Sequence, residues 1–212
     1  MTDGRFIAFE GGEGAGKSTQ VRMLATALER RGLAVTITRE PGGTPGAEAI
    51  RALLLEPPGE GWGVAAEALL FAAARSDHVD RLIRPALASG KWILCDRFLD
   101  SSRAYQGAAG DLGDEAIRAL HRIGSEGMVP DLTIVIDVPD GEAASRLAIR
   151  DGGSVDAIGG RDSAYHSQVK AAFRAFATDE PDRFRLIDGS GTVEDVHARI
   201  FAAIEHLLEE SS

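Results

Sequence analysis

Gly11-Gly12-Glu13-Gly14-Ala15-Gly16-Lys17-Ser18 matches the pattern G-x-x-x-x-G-K-[ST] in full, and its flanks decide how the chain folds. Phe6-Ile7-Ala8-Phe9 before it reads as a short apolar strand, and Val21, Leu24, Ala25 and Leu28 after it recur at helical spacing. Strand, glycine loop and helix in that order separate a phosphate-binding loop from a chance match. Glycines let successive backbone N–H groups turn inward around an anion, and the helix that begins there points its positive end at the same place. Gly11, Gly12, Glu13, Gly14, Ala15, Gly16, Lys17, Ser18 and Thr19 are therefore expected to hold a nucleoside triphosphate. Lys17 reaches the β- and γ-phosphates in this reading, and the Ser18 hydroxyl ligates Mg²⁺.

Working outward, Ala34 to Thr38, Lys91 to Cys95, Leu132 to Val138 and Phe184 to Ile187 are four more short, nearly apolar segments, each separated from the next by helical pattern. Such strands belong to a parallel sheet covered on both faces. The expected fold is α/β, a P-loop NTPase-type three-layer sandwich: a five-stranded parallel sheet between helices, in one domain over residues 1–212. Several helices are expected in detail. One carries Ile50, Leu53 and Leu54 on one face; another runs from Glu67 to Ala74, its register continuing through Val79 to Ala88; a third carries Ile117, Leu120 and Ile123; the last buries Val196, Ile200, Ile204 and Leu207. Ser101 to Gly113 reads as a loop and Gly141 to Arg150 as a short helix. The glycine-rich Asp151 to Gly160 is expected to be mobile, within a lid at about residues 140–162.

The composition bounds the function. The chain has 212 residues, 44% hydrophobic and 26% charged, the balance of an ordinary globular protein. A formal net charge of -10 argues against nucleic acid as a partner. A small phosphorylated ligand stays compatible, because a few local arginines outweigh the global sign. The single cysteine, Cys95, excludes an internal disulfide, and five histidines lack metal-ligand spacing, so no zinc site is expected. No apolar run is long enough to span a bilayer and the first residues do not resemble a signal peptide, so the expected location is the cytoplasm, with no membrane partner.

In parallel sheets of this kind ligands lie beyond the carboxyl ends of the strands. The phosphate loop, Arg39, Asp96-Arg97 and the segment after the fourth strand all follow strands, so they are expected to meet at one cleft. Asp96 ends its strand like a Walker-B acid and is expected to act on Mg²⁺, directly or through water, or to orient the loop. Arg97 offers a two-point fork to phosphate oxygens. Arg146 and Arg150 stand one helical turn apart; spacing alone divides evenly between a phosphate-facing pair and a solvated face. Phe71 and Arg75 are also one turn apart, and spacing alone favours a core ring and an exposed arginine over a pair that stacks on a base and reads its edge. No general base stands out unless Asp96 serves. A phosphate monoester needs none, being mostly a dianion at neutral pH.

These residues resemble the thymidylate kinase family. The similarity is carried by Phe9 to Thr19, Thr38-Arg39-Glu40-Pro41-Gly42-Gly43-Thr44, Leu70-Phe71-Ala72-Ala73-Ala74-Arg75, Asp96-Arg97-Phe98, Ser101-Ser102-Arg103-Ala104-Tyr105-Gln106-Gly107 and Asp188-Gly189-Ser190-Gly191-Thr192, in that order. The resemblance implies ATP- and Mg²⁺-dependent phosphorylation of dTMP to dTDP in a homodimer. It implies Phe71 under the thymine ring, Arg75 on its edge and Ser102 near the base. Arg39 and Arg97 hold the acceptor phosphate, Tyr105 crowds the sugar 2′ position with Gln106 close by, and Glu13 contacts the 3′-OH. Lys17, Asp96, Arg97, Arg146 and Arg150 are the implied catalytic set. Some members carry a catalytic arginine in the phosphate loop; Gly14 stands there in this chain, so the lid supplies it. The family's usual Asp-Arg-aromatic-Glu run is here Asp156-Ala157-Ile158-Gly159, which leaves either Arg161 as a substitute or a lid with fewer cations.

Two other functions were open to the sequence. A deoxynucleoside kinase acting on a 5′-hydroxyl needs a base and has little use for Arg39. A nucleotide-driven switch is disfavoured because no N-K-x-D run is present and the one D-x-x-G match, Asp156 to Gly159, follows no strand.

Overall fold

The computed structural model describes residues 4–139, 141–142 and 158–209. Strands β1 (Phe6–Glu10), β2 (Val35–Arg39), β3 (Trp92–Asp96), β4 (Leu132–Asp137) and β5 (Phe184–Asp188) form one parallel sheet in the order β2-β3-β1-β4-β5. The order reverses around β1, whose Phe9 pairs with Asp96 on one side and Ile134 on the other. The loop after β1 therefore opens at the middle of the sheet's carboxyl edge, the switch point where such sheets bind ligands.

Helices are α1 (Lys17–Glu29), α2 (Pro45–Leu55), α3 (Val64–His78), α4 (Arg84–Ala88), α5 (Leu99–Ser102), α6 (Asp114–Ser125), α7 (Ser163–Asp179) and α8 (Val193–Glu209). The period-2 alternation of β1 sets the layers. Ile7 and Phe9 face Leu24 and Leu28 of α1 and Ile200 and Ile204 of α8. Phe6 and Ala8 face Ala68 of α3, Ile117 of α6, and Val79 and Ile83 between α3 and α4. Val135 and Phe184 pack on Val169 and Phe173 of α7. Each of the larger side chains among them contributes about 1.5–3 kcal/mol by leaving water, which ties the sheet to both helical layers. Local signals agree: Thr44 caps α2 through the Ala47 N–H with Pro45 next in line, and Asp162 caps α7 through the Tyr165 N–H.

Two expectations need correction. The α3 register does not continue to Ala88: a π-helical turn, Val79–Ile83, comes between α3 and α4. Ser101 to Gly113 is not a plain loop, because α5 runs into a second π-helical stretch, Arg103–Ala109. Leu53 and Ile123, which share helical apolar stripes with Leu54 and Ile117, are 44% and 83% exposed. Three residues of one apolar stripe span more arc than the neighbouring helix covers. The Gly141 to Arg150 helix lies outside the described residues beyond Glu142.

Candidate active site

A cavity of about 990 Å³ opens at the carboxyl edge of the sheet. It runs from Gly191, Thr192 and Val196, past the glycine loop, to Phe71, Arg75 and Ser102. The loop itself is set by backbone sterics. Gly11 has φ +136°, and a side chain there would sit 2.5 Å from the Ile136 carbonyl oxygen, so only glycine lets β1 turn away beside β4. Lys17 is buried, and its Nζ donates to the carbonyls of Gly11 at 3.0 Å and Gly12 at 2.9 Å. Burial, then the neighbouring Arg97 charge, lower the Lys17 pKa. Ser18 Oγ donates to Asp96 Oδ2 at 2.5 Å, bringing together a hydroxyl and a carboxylate from the two loops predicted to meet.

Arg97 follows β3 with φ +70°, its N–H bonded to the Phe9 carbonyl at 2.9 Å. That left-handed turn carries the guanidinium back over the glycine loop. There it pairs with Glu13, donates to Ser101 Oγ at 3.1 Å and lies 5.1 Å above the Tyr105 ring. Burial opposes its charge, but Tyr105, Glu13, Glu10 and Asp96 more than offset this and raise its pKa. Burial also pushes the Tyr105 hydroxyl up to about 12, so the ring faces the cavity as a neutral phenol. Arg39, at the end of β2, is half exposed and held by both oxygens of Glu48 at 3.1 Å.

The pair that spacing favoured as core and surface is arranged the other way. Phe71 is only partly buried and lines the cavity, while Arg75 is buried. Arg75 Nε donates to Glu40 Oε2 at 2.7 Å, and Nη2 donates to Ser102 Oγ at 3.0 Å and the Phe98 carbonyl at 3.1 Å. The ion pair with Glu40 permits a buried guanidinium. Ser102, Tyr105 and Gln106 come from α5 and the π-helical stretch and line the same wall. Gln106 Nε2 donates to Glu67 Oε1 at 2.7 Å. The cavity thus brings together Glu13, Lys17, Ser18, Arg39, Phe71, Arg75, Asp96, Arg97, Ser102, Tyr105 and Gln106. Arg146 and Arg150 lie outside the described residues. Arg161 pairs with the other oxygen of Glu67 and lies 4.6 Å over the Tyr165 ring, so its charge is committed to α3 and α7.

Sequence reasoning missed the acids behind these groups. Glu10 is fully buried and accepts from the N–H groups of Phe98 (2.8 Å) and Ser101 (3.0 Å) and from Ser101 Oγ (2.6 Å), pinning the turn that presents Arg97. Burial, then Asp100, raise its pKa to about 7. Asp100, also fully buried, accepts from Arg103 (2.8 Å), Arg183 (2.8 and 3.0 Å) and Thr133 (3.1 Å). Burial acts against its charge, but the two guanidiniums prevail and its pKa is lowered. The available signal was a glutamate closing an apolar strand: a buried carboxylate must find donors.

The thymidylate kinase family model matches residues 9–200. A thymidylate kinase of Rhizorhabdus wittichii is 56% identical over 205 residues, 97% of this chain and 99% of that protein. One from Bradyrhizobium is 47% identical, covering 97% of this chain and 91% of its own length. The crystal structure of thymidylate kinase from Ehrlichia chaffeensis superposes with a TM-score of 0.76 at 30% identity, over 95% of this chain and 98% of that one.

Proposed function

We propose that this chain, which belongs to the thymidylate kinase family and phosphorylates dTMP to dTDP with ATP, works by positioning and charge neutralisation without a general base. The observation that carries this reading is the continuity of one cavity from Gly191 and Thr192 to Phe71 and Arg75, with Lys17 and Arg97 between its ends. ATP lies on the Gly11 to Thr19 loop with its base toward Gly191 and Thr192, and Lys17 steadies the β- and γ-phosphates. The acceptor base rests on Phe71 with Arg75 at its edge and Ser102 beside it. Arg39 and Arg97 take its phosphate dianion, Glu13 its sugar, and Tyr105 and Gln106 close the wall behind the sugar.

Ser18 and Asp96 fit a hard divalent cation: both offer oxygen, and they already meet at 2.5 Å. Among the described residues no group of three or more His, Cys, Asp or Glu is arranged to hold a metal. Mg²⁺ suits such a pair, because it takes one or two protein oxygens and completes its shell with nucleotide phosphates and water. When bound it neutralises charge on the phosphate oxygens. Gly14 offers no side chain and Arg161 is engaged by Glu67, so Arg146 and Arg150 are left to supply the remaining cation.

We also propose a homodimer through α3 and α6, where Leu69 and Ile123 are 56% and 83% exposed. Among the described residues no helix is long and apolar enough to cross a membrane. A coupled ADP-release assay across dTMP, dUMP, dCMP, AMP and thymidine tests the acceptor assignment. It is expected to respond most strongly to dTMP; turnover of thymidine alone contradicts it.

A further inference from the structure

Behind Arg75 lies a chain of buried polar groups that the reaction itself does not use. Thr38, Glu40, Arg75 and His78 are all buried, and His78 has no exposed surface. Thr38 Oγ1 is 2.7 Å from His78 Nε2, His78 Nδ1 is 3.0 Å from Glu40 Oε1, and Glu40 Oε2 accepts from Arg75 Nε at 2.7 Å. A carboxylate only accepts, so the proton on this side of the ring sits on Nδ1. Each oxygen of Glu40 thus has its own donor, one on each side.

The chain is anchored at both ends. The Glu40 N–H donates to the Asp96 carbonyl at 2.9 Å, fixing the residue at the end of β2. Gly43, φ +90°, folds over the Thr38–His78 contact so closely that a side chain there would lie 2.5 Å from Thr38 Oγ1 and 2.7 Å from His78 Nε2. Arg75 is left with one free end. Nε and Nη2 are bonded to Glu40, Ser102 and Phe98, whereas Nη1 has no hydrogen-bond partner among the described residues, and the side chain lines the cavity beside Phe71.

We propose that His78, acting through Glu40, is a positioning residue that orients Arg75 Nη1 and so sets which base the acceptor carries. The inference rests on reading the Phe71–Arg75 end of the cavity as the base site. A nitrogen with two N–H bonds accepts a ring that presents a carbonyl oxygen and opposes one that presents an amino group. A 4-oxo pyrimidine is therefore preferred over a 4-amino pyrimidine. Without His78 the Glu40 carboxylate has one buried oxygen unpaired, and as it turns it pulls Arg75 Nε against the Ser102 and Phe98 bonds that hold Nη2, tilting the guanidinium. The tight fit is thus what discriminates against the amino base.

The test is the ratio of kcat/KM for dTMP to that for dCMP, measured on the full chain. The ratio does not depend on how much of a variant is folded, which separates a positioning role from a merely structural one. His78→Leu is expected to lower the ratio about tenfold or more, with the KM for ATP unchanged. His78→Asn places an amide nitrogen where Nδ1 lies and is expected to hold the ratio within about threefold of the parent. If His78→Leu does not fold, Thr38→Val, which frees Nε2, is expected to shift the ratio in the same direction by a smaller factor. An unchanged ratio in whichever of the two variants folds overturns the proposal. If the parent chain itself does not turn over dTMP, the reading of the base site fails instead.

Discussion

Replacing Arg97 by glycine separates what its side chain does from what its backbone costs. At φ +70° a residue other than glycine is strained by about 1–2 kcal/mol, which Arg97→Gly relieves. Against this, glycine adds freedom to the unfolded chain, worth about 0.4–1 kcal/mol, and the pair with Glu13 is lost, worth up to about 1 kcal/mol at its partial exposure. Net stability is expected to fall between a loss of about 1 kcal/mol and a gain of about 1.6 kcal/mol. Activity is another matter. A preorganised cation or donor facing developing charge is worth about 2.7–4 kcal/mol, so kcat/KM for dTMP is expected to fall by about 10² to 10³. Without the Arg97 charge beside it, the Glu13 carboxylate repels the incoming phosphate more strongly and pushes the loss toward the upper figure. ATP affinity, which rests on the glycine loop, is expected to stay within about tenfold. Urea denaturation, calorimetric ATP titration and the coupled ADP assay measure the three quantities. Activity within about threefold of the parent, or a stability loss above about 3 kcal/mol, refutes the assignment of Arg97 to the acceptor phosphate.

Phe71→Ala removes the ring from the base end of the cavity and is expected to raise the KM for dTMP about tenfold while leaving that for ATP unchanged in steady-state kinetics. Burial, then the Arg75 charge, lower the His121 pKa to about 4 from its ordinary 6.5. Its contribution is therefore complete above about pH 6.5 and is lost as pH falls toward about 4. His121→Gln, whose amide can keep the bond to the Met128 carbonyl, is expected to flatten that part of the profile of Tm against pH. Leu69→Glu combined with Ile123→Lys is expected to shift sedimentation from dimer to monomer; an unshifted dimer rejects the α3–α6 interface.

The layered parallel sheet was legible because its signals are local. Each strand is an unbroken apolar run, and the glycine loop is specified by backbone sterics at successive residues. Position beyond a strand end was enough to gather Arg39, Asp96 and Arg97 around the loop. What escaped the sequence depends on partners from distant elements. Spacing placed Phe71 and Arg75 on one helix face but could not reveal that Glu40, 35 residues earlier, makes a buried home for the arginine. Glu10 is silent for the same reason, its donors lying after β3, at Phe98 and in α5 at Ser101. The π-helical stretch Arg103–Ala109, which brings Tyr105 and Gln106 to the cavity wall, has no signature in a glycine-bearing segment read as a loop. Arg161 shows the converse: the sequence offers it as a spare lid cation, whereas Glu67 holds it.

Following the phosphorus atom tests the central claim most directly. With γ-labelled ATP, Mg²⁺ and dTMP, the label is expected on the β-phosphate of dTDP, its appearance matching the release of ADP one for one. Label recovered as inorganic phosphate at a rate indifferent to dTMP, or transferred only to the 5′-hydroxyl of thymidine, contradicts it.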